Sequence, residues 1–375
     1  METQLSLNDK APDTLIVTLV NKNNKHAMHL KGDKPNMVMI NRKIKFAKRP
    51  QGEPDLSSFE LEESDVAPLQ DKQILIRNEY LAIDPYIRMR MEEKDSYAPV
   101  MAVGDVMVGR TIGRVVESKD DRFKKSELVL GRLGWQDYSV AIASDLERIE
   151  NPQAPLSAYL GSLGSTGITA WIGLHEFGRP KAGETVVVSA ASGAVGSVVG
   201  QLAKRWGCRA VGIAGGKHKC DLVVNEFGFD ACVDYKDAAF ASQLKSAVPN
   251  GVDVYFDNVG GPILDTVLPL LNNGARIPLC GMVSQYNAVE PYGVRNLREI
   301  FNHRVTVRGF VMSDHKDCAP AARAELEAAY ADGQLKYRET VAEGLESAPQ
   351  AFIDMLKGGN IGKQLVRIRP DEADQ

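Results

Sequence analysis

The chain has 375 residues, 44 % hydrophobic and 25 % charged, with a formal net charge of −4 and an isoelectric point of about 6.0. That length suits two domains better than one, and the mild acidity gives no general reason to bind nucleic acid or an anionic membrane surface. The five cysteines, Cys208, Cys220, Cys232, Cys280 and Cys318, form no CxxC pair, so they offer neither a structural zinc site nor a disulfide framework and fit reduced thiols in the cytoplasm.

Residues 1–35 precede the first domain pattern. Their only apolar run, Leu15-Ile16-Val17 and Leu19-Val20, falls far short of the roughly 20 residues of a membrane span. No basic region leads a signal core, and Glu2, Asp9 and Asp13 oppose a transit peptide. With the polar Asn21–Lys25 stretch, the segment reads as a flexible or loosely packed extension. Residues 36–165 read as mostly β: Lys72–Arg77 alternates, Val106–Glu117 is rich in Gly and Val, and Glu127–Leu133 runs into Gly134-Trp135-Gln136-Asp137-Tyr138. Short strands between Pro, Gly and Asp turns predict a compact barrel.

Near residue 180, within a domain taken as 166–334, strands begin to alternate with helices. The strands are Thr185–Ala190, Arg209–Gly215, Ala231–Tyr235, Asp253–Asp257, Ala275–Gly281 and Thr306–Met312. Six strands separated by helical stretches predict a doubly wound parallel sheet, hence an α/β fold. Residues 335–375 change texture again and end in the strand-like Lys363–Arg369.

The buried-strand pattern Thr185–Ala190 runs into Ala191-Ser192-Gly193-Ala194-Val195-Gly196. This is A-x-G-x-x-G, a dinucleotide fingerprint whose first glycine is alanine. Gly193 lets backbone approach a pyrophosphate, Gly196 and Gly200 let the helix pack closely, and the helix N-terminus presents free N–H groups to phosphate. After the second strand, where an NAD enzyme places an acid, the chain has Ala214-Gly215-Gly216-Lys217-His218-Lys219. Two lysines without an acid suit the 2′-phosphate of NADP.

Asn78–Arg88 (NEYLAIDPYIR), Ala190–Lys204, Val254–Gly261 (VYFDNVGG), Cys280–Asn287 (CGMVSQYN) and Met355–Lys363 (MLKGGNIGK) carry a resemblance across roughly residues 40–370. The chain resembles the zinc-independent medium-chain dehydrogenases/reductases of the alkenal and enone double-bond reductase group. That group includes leukotriene B4 dehydrogenase/prostaglandin reductases, plant double-bond reductases and NADPH-dependent curcumin reductases. The resemblance implies a GroES-like β-barrel catalytic domain interrupted by a Rossmann domain, an NADP(H) cofactor, a small enone or alkenal substrate and a homodimer. It implies that Gly193, Ala194, Val195 and Gly196 hold the pyrophosphate, that Lys219 and Tyr235 bracket the 2′-phosphate, and that Asn258 faces the ribose or phosphates. Cys280, Gly281, Ser284 and Tyr286, with Phe310, Val311, Met312 and Asn360, would surround the nicotinamide end. Asn360, from the terminal segment, would complete a site shared by both domains.

The zinc alcohol dehydrogenases share this architecture, but their catalytic zinc uses an early cysteine and a Gly-His-Glu motif. This chain has Ala82-Ile83-Asp84-Pro85-Tyr86 at the first position, and its nearest imitation of the second, His175-Glu176, follows a helical stretch and reads as a helix end. Without a metal, a tyrosine hydroxyl can serve as oxyanion donor because it donates while neutral. Tyr286 and Tyr86 both stand in matching motifs, and either could be the principal donor. Trp135 and Tyr97 could line the pocket or fill the barrel core. The expected reaction is reduction of an enone C=C bond by hydride transfer to the β-carbon. An NADPH quinone oxidoreductase would share every cofactor residue, and a non-catalytic NADPH-binding scaffold is the reading from another class.

Overall fold

A computed structural model of the chain describes residues 39–93 and 96–368, together with three strands nearer the N-terminus. The chain forms two units, residues 1–41 with 64–67 and residues 42–63 with 68–375. In the first unit Glu2–Asn8, Ala11–Asn21 and Asn24–Leu30 pair in turn as an antiparallel sheet. The sequence reading had a flexible or loosely packed extension there and named no strand. The β-branched run Ile16-Val17-Thr18 instead falls within a paired strand, as such residues favour. The linking residues and the side chains of these strands lie outside the described residues.

The second unit contains two large sheets, of seven and six strands. In the first, the strand order is Leu146–Arg148, Leu128–Gly131, Thr111–Ser118, Gln73–Ala82, Lys363–Arg367 and Glu339–Glu343, and Tyr138–Ile142 also pairs with Gln73–Ala82. Gln73–Ala82 is therefore central, and eight of its ten residues are buried. Trp135 is fully buried. Its ring stacks on Phe59 at 5.9 Å and meets the edge of Phe352 at 5.9 Å. Of the two fates open to Trp135, the structure selects the core.

The second sheet is wholly parallel. We label its strands β1 (Thr185–Ser189), β2 (Arg209–Ala214), β3 (Ala231–Asp234), β4 (Val252–Phe256), β5 (Leu271–Leu279) and β6 (Thr306–Gly309). Between them run α1 (Gly196–Arg205), α2 (Lys217–Asn225), α3 (Phe240–Ala247), α4 (Gly261–Val267) and α5 (Arg298–Asn302), and α6 (Ala319–Ala331) follows. The spatial order is β3-β2-β1-β4-β5-β6. The chain reverses direction across the sheet between β1 and β4, the switch point at which open α/β sheets bind ligands. β1 is buried along its whole length, which explains its run of three valines.

The terminal segment returns to the first sheet. Lys363–Arg367 pairs antiparallel with Gln73–Ala82, with Leu365 opposite Ala82 and Arg367 opposite Tyr80. The side chain of Lys363, 3 % exposed, crosses to the carbonyl of Ile83 at 2.9 Å and to the carboxylate of Asp84. Asp84 is itself buried and immediately precedes the short helix Pro85–Met91, without a side-chain capping bond. Removing one member of a buried ion pair leaves the other charge uncompensated, at a cost of roughly 3–5 kcal/mol. Lys363→Met is expected to lower stability by about that amount in urea titration. The double change Lys363→Met with Asp84→Leu should recover much of the loss. A single variant as stable as the parent would contradict the assignment.

Candidate active site

The turn after β1 is built to lie close to a ligand. Ala190 takes a left-handed backbone (φ 50°), and its carbonyl accepts the N–H of Gly193 at 2.9 Å. A Cβ on Gly196 would sit 2.3 Å from that same carbonyl, and one on Gly200 would strike the Phe229 ring at 1.8 Å. Gly196 thus packs on the turn and Gly200 makes room for Phe229, where the sequence led both to be read as letting the helix approach the sheet. The alanine at the fingerprint's first position is accommodated from the neighbouring strand, since a Cβ on Gly212 of β2 would meet the Ala191 methyl at 2.8 Å. Beside Gly193 a Cβ would meet nothing but the Ala190 carbonyl, so the turn is open on its outer side. With the α1 N-terminus, this cradle fits a pyrophosphate.

Lys219 lies in the first turns of α2, half-buried. Its ammonium donates to the carbonyls of Gly358 and Asn360, both at 2.7 Å. An ammonium has three donors, so one is left for a phosphate. Burial, and then the nearby charge of Lys236, lower its pKa, and an anion would offset both. The expectation of a Lys217 and Lys219 pair needs correction. Lys217 is exposed and bound to Asp221 four residues on, at 2.6 and 2.9 Å. The second cation near Lys219 is Lys236, which the sequence reading missed. Tyr235 is partly exposed, and its ring edge borders Gly215, where a Cβ would meet it at 2.9 Å. Lys219, Tyr235 and Lys236 thus surround one corner at the β2 and β3 ends.

The terminal segment closes this end. Gly362 N–H donates to the Ser192 carbonyl at 2.8 Å and bridges Gly193 in parallel. The Asn360 side-chain amide donates to the Gly362 carbonyl at 2.8 Å, leaving its own oxygen as the group able to face a ligand. Asn258 is held from β1, its backbone N–H on Ser189 Oγ and its side-chain amide on the Ser189 carbonyl, both at 2.8 Å. Behind it lies Asp257, fully buried, to which the sequence reading gave no role beyond the end of its strand. One of its oxygens accepts from Ser189 Oγ (3.0 Å), Tyr255 OH (2.9 Å) and the N–H groups of Val259 and Gly260 (2.9 Å each). Burial pushes its pKa up against these donors. Asp257 therefore fixes the loop from which Asn258 projects.

At the other end, burial and then Asp257 push the Cys280 thiol up to about 12, so it is neutral and a poor nucleophile. Ser284 Oγ donates to the Val259 carbonyl at 2.7 Å, anchoring the loop that carries Tyr286. The Tyr286 oxygen accepts the Met282 N–H at 3.3 Å and lies 3.2 Å from where a Cβ on Gly281 would be. Among the described residues its proton has no acceptor. Tyr86, on the helix Pro85–Met91, likewise makes no hydrogen bond among the described residues, and burial followed by Asp84 raises its pKa. Tyr97 is half-exposed rather than in the barrel core. Its pKa is raised first by burial and then by Tyr286, Tyr86 and Cys280, which places the three tyrosines in one neighbourhood. The Phe310 ring turns away, packing on Phe177 and Phe256 at 5.2 and 6.2 Å, so its backbone is what can border a ligand. Val311 and Met312 follow it, both partly buried.

Arg88 joins the two tyrosine-bearing elements, again unnoticed in the sequence. It is 5 % exposed and donates from Nε to Asn287 Oδ1 at 3.0 Å and from Nη2 to the Gly52 carbonyl at 3.0 Å. Tyr86 precedes Arg88 on one short helix and Tyr286 precedes Asn287, so one guanidinium ties both supports together. His175 is occupied elsewhere, stacked on Trp171 at 4.1 Å and bonded to Glu176 at 2.7 Å. Among the described residues no group of three His, Cys, Asp or Glu side chains could hold a metal ion.

Residues 42–149 match a family described as the N-terminal domain of oxidoreductase, and residues 194–327 match one described as zinc-binding dehydrogenase. The chain is similar to the NADPH-dependent curcumin reductase of Escherichia coli, 45 % identical over 88 % of this chain and 98 % of the relative. It is also similar to an NADP(+)-dependent 2-alkenal reductase of Nicotiana tabacum, 43 % identical over 80 % and 89 %. Among solved structures, CurA of Vibrio vulnificus in complex with NADPH superposes with a TM-score of 0.85 at 42 % identity, over 88 % of this chain and all of that one. The interrupted first sheet and the β3-β2-β1-β4-β5-β6 sheet define a medium-chain dehydrogenase/reductase. Within that class, the chain belongs to the enone reductase group.

Lys219→Met is expected to weaken NADPH binding at least tenfold, the loss of a charge-assisted contact of roughly 1.5–3 kcal/mol, while NADH binding changes much less. Calorimetric titration of both cofactors checks this. Equal losses for the two would show that Lys219 serves only to anchor Gly358 and Asn360.

Proposed function

We propose that the chain reduces the C=C bond of α,β-unsaturated ketones and aldehydes with NADPH. Bound NADPH supplies a hydride, which is delivered to the β-carbon. The chain's own residues hold the substrate carbonyl and stabilise the charge that develops on its oxygen. Tyr286 suits that task because its oxygen is already engaged by Met282 N–H, leaving the phenolic proton to donate. Tyr86 offers a second donor, and a solvent proton completes the α-carbon. The observation that carries the reading is the tie from Arg88, two residues beyond Tyr86, to Asn287, next to Tyr286, which brings two neutral phenols to the same end of the site. Such donors match an enolate, a weaker base than the alkoxide formed by direct ketone reduction. Zinc independence belongs to the same proposal. It is supported by Asp84-Pro85-Tyr86 where a zinc enzyme has cysteine, and by the structural employment of His175. For the quinone reductase alternative, the likeness to the Pseudomonas syringae quinone oxidoreductase, 21 % identical, is a likeness of fold alone.

We further propose a homodimer formed through β6. Among the described residues this four-residue edge strand pairs only with β5, and it is exposed at every residue, and Phe301 nearby in sequence is 82 % exposed. An exposed strand edge is a template for a second copy. Light scattering should give twice 41.0 kDa, and Val307→Pro, which removes a ladder donor, should give monomer. A wild-type monomer would refute this. The five free cysteines fit a cytoplasmic setting, and among the described residues no helix is long and apolar enough to cross a membrane.

Tyr286→Phe is expected to lower kcat by about 10²–10³-fold, or roughly 2.7–4 kcal/mol, with NADPH affinity unchanged. A phenol donates only while protonated, and burial raises the Tyr286 pKa. The wild-type rate should therefore show no loss from tyrosine ionisation below about pH 10. Exhaustive chelation should leave activity intact. An undiminished rate in Tyr286→Phe would transfer the donor role to Tyr86, and activity lost on chelation and restored by zinc would overturn metal independence.

A further inference from the structure

Three arginines gather on the flank of Tyr86. Arg90 follows it on the same short helix. Arg110 immediately precedes the strand Thr111–Ser118, and Arg132 immediately follows Leu128–Gly131. Those strands are antiparallel with Thr111 opposite Gly131, so the ladder's end sets Arg110 and Arg132 side by side. Tyr86, Arg90 and Arg132 line one cavity of about 230 Å³ together with Val106, Gly109 and Gln136.

Arg90 and Arg110 are partly buried and Arg132 is exposed, and a partly buried arginine ordinarily meets a carboxylate. Here the neighbouring acids are already engaged. Asp84 is bound by Lys363, Glu147 by Arg323 and Asp137 by Arg42. Arg90 gives its Nε to the Pro99 carbonyl at 2.8 Å. Neither the Arg110 nor the Arg132 side chain has a hydrogen bond or ion pair among the described residues. Desolvation, opposed by Glu147 and aided by Arg132, lowers the Arg110 pKa. Two like charges at adjacent ladder positions repel, and an anion in the cavity, which Arg90 and Arg132 line and Arg110 does not, would relieve Arg132 directly and Arg110 beside it.

We propose that the cavity beside Tyr86 is an anion subsite that receives a carboxylate carried by the substrate at some distance from its reacting double bond. The subsite deepens the enone-reductase reading and rests on it for the reaction, though not for binding. Tyr86 links the two, since it lines the cavity and also neighbours Tyr97 at the reacting end. The chain should then prefer an enone bearing a terminal carboxylate to its methyl ester, provided the connecting chain is long enough to reach.

The test compares ω-carboxy enones of graded length with their methyl esters. It measures kcat/KM with NADPH and, by calorimetry, affinity for the NADP+-bound protein. At the best length the acid should be favoured about tenfold, the lower end of what a charge-assisted contact gives at a partly exposed site. The preference should shrink as salt screens the arginines. The double variant Arg110→Gln with Arg132→Gln should bring the acid-to-ester ratio to about one, whatever it does to the ester itself. Arg110→Lys with Arg132→Lys should restore part of it. A ratio near one in the wild-type protein at every length, or a ratio indifferent to the double glutamine variant, would overturn the subsite. If neither acid nor ester consumes NADPH, the proposed reaction fails while the calorimetric ratio still decides the subsite.

Discussion

The buried contact of Lys363 with Asp84 is the constraint on which the site depends. It joins residues 279 positions apart, one on the strand that returns after the parallel sheet and one at the head of the helix bearing Tyr86. An ammonium withdrawn from water needs near-complete pairing to be tolerated, so the terminal strand can settle in few registers. That register fixes the residues just before it. Gly362 meets Ser192, and Gly358 and Asn360 meet Lys219. Through one segment of six residues, Gly358–Lys363, the tyrosine helix, the phosphate turn and the 2′-phosphate corner share a common support.

The tyrosine end has a second tie of the same kind. Arg88 reaches across to Asn287 and Gly52 with a planar group whose donors have fixed directions. Lysine could match the charge but not that geometry. Catalysis by neutral hydroxyls depends on placement, because a donor stabilises a developing oxyanion only from the right position. A buried guanidinium and a buried ion pair supply that placement from opposite sides of Tyr86.

Much of this was legible in the sequence because it is local. The three-valine strand, the glycine turn and the alternating helices specify the parallel sheet residue by residue, and the observed elements begin and end within a few positions of those read. The Lys217 correction was also legible in principle, since Asp221 stands four residues on along one helix, a spacing at which opposite charges pair. Asp257 left a signal too. A carboxylate followed by Asn-Val-Gly-Gly can bond the N–H groups two and three residues on, and it does. Arg88 with Asn287, and Arg110 beside Arg132, left none, because their partners are set by how distant segments pair. The N-terminal strands were missed for another reason. Their short apolar run was judged by length against a membrane span rather than by its β-branched composition.

The chemistry turns on which atom receives the hydride. Neutral phenols, a neutral thiol and an open phosphate cradle are consistent with delivery to the β-carbon of an enone whose oxygen is held by tyrosine. NADPH deuterated at the transferring position, incubated with the protein and an enone, decides this directly by the label's place in the product. The account predicts a saturated ketone carrying deuterium on its β-carbon. An allylic alcohol carrying deuterium on the carbinol carbon would contradict it.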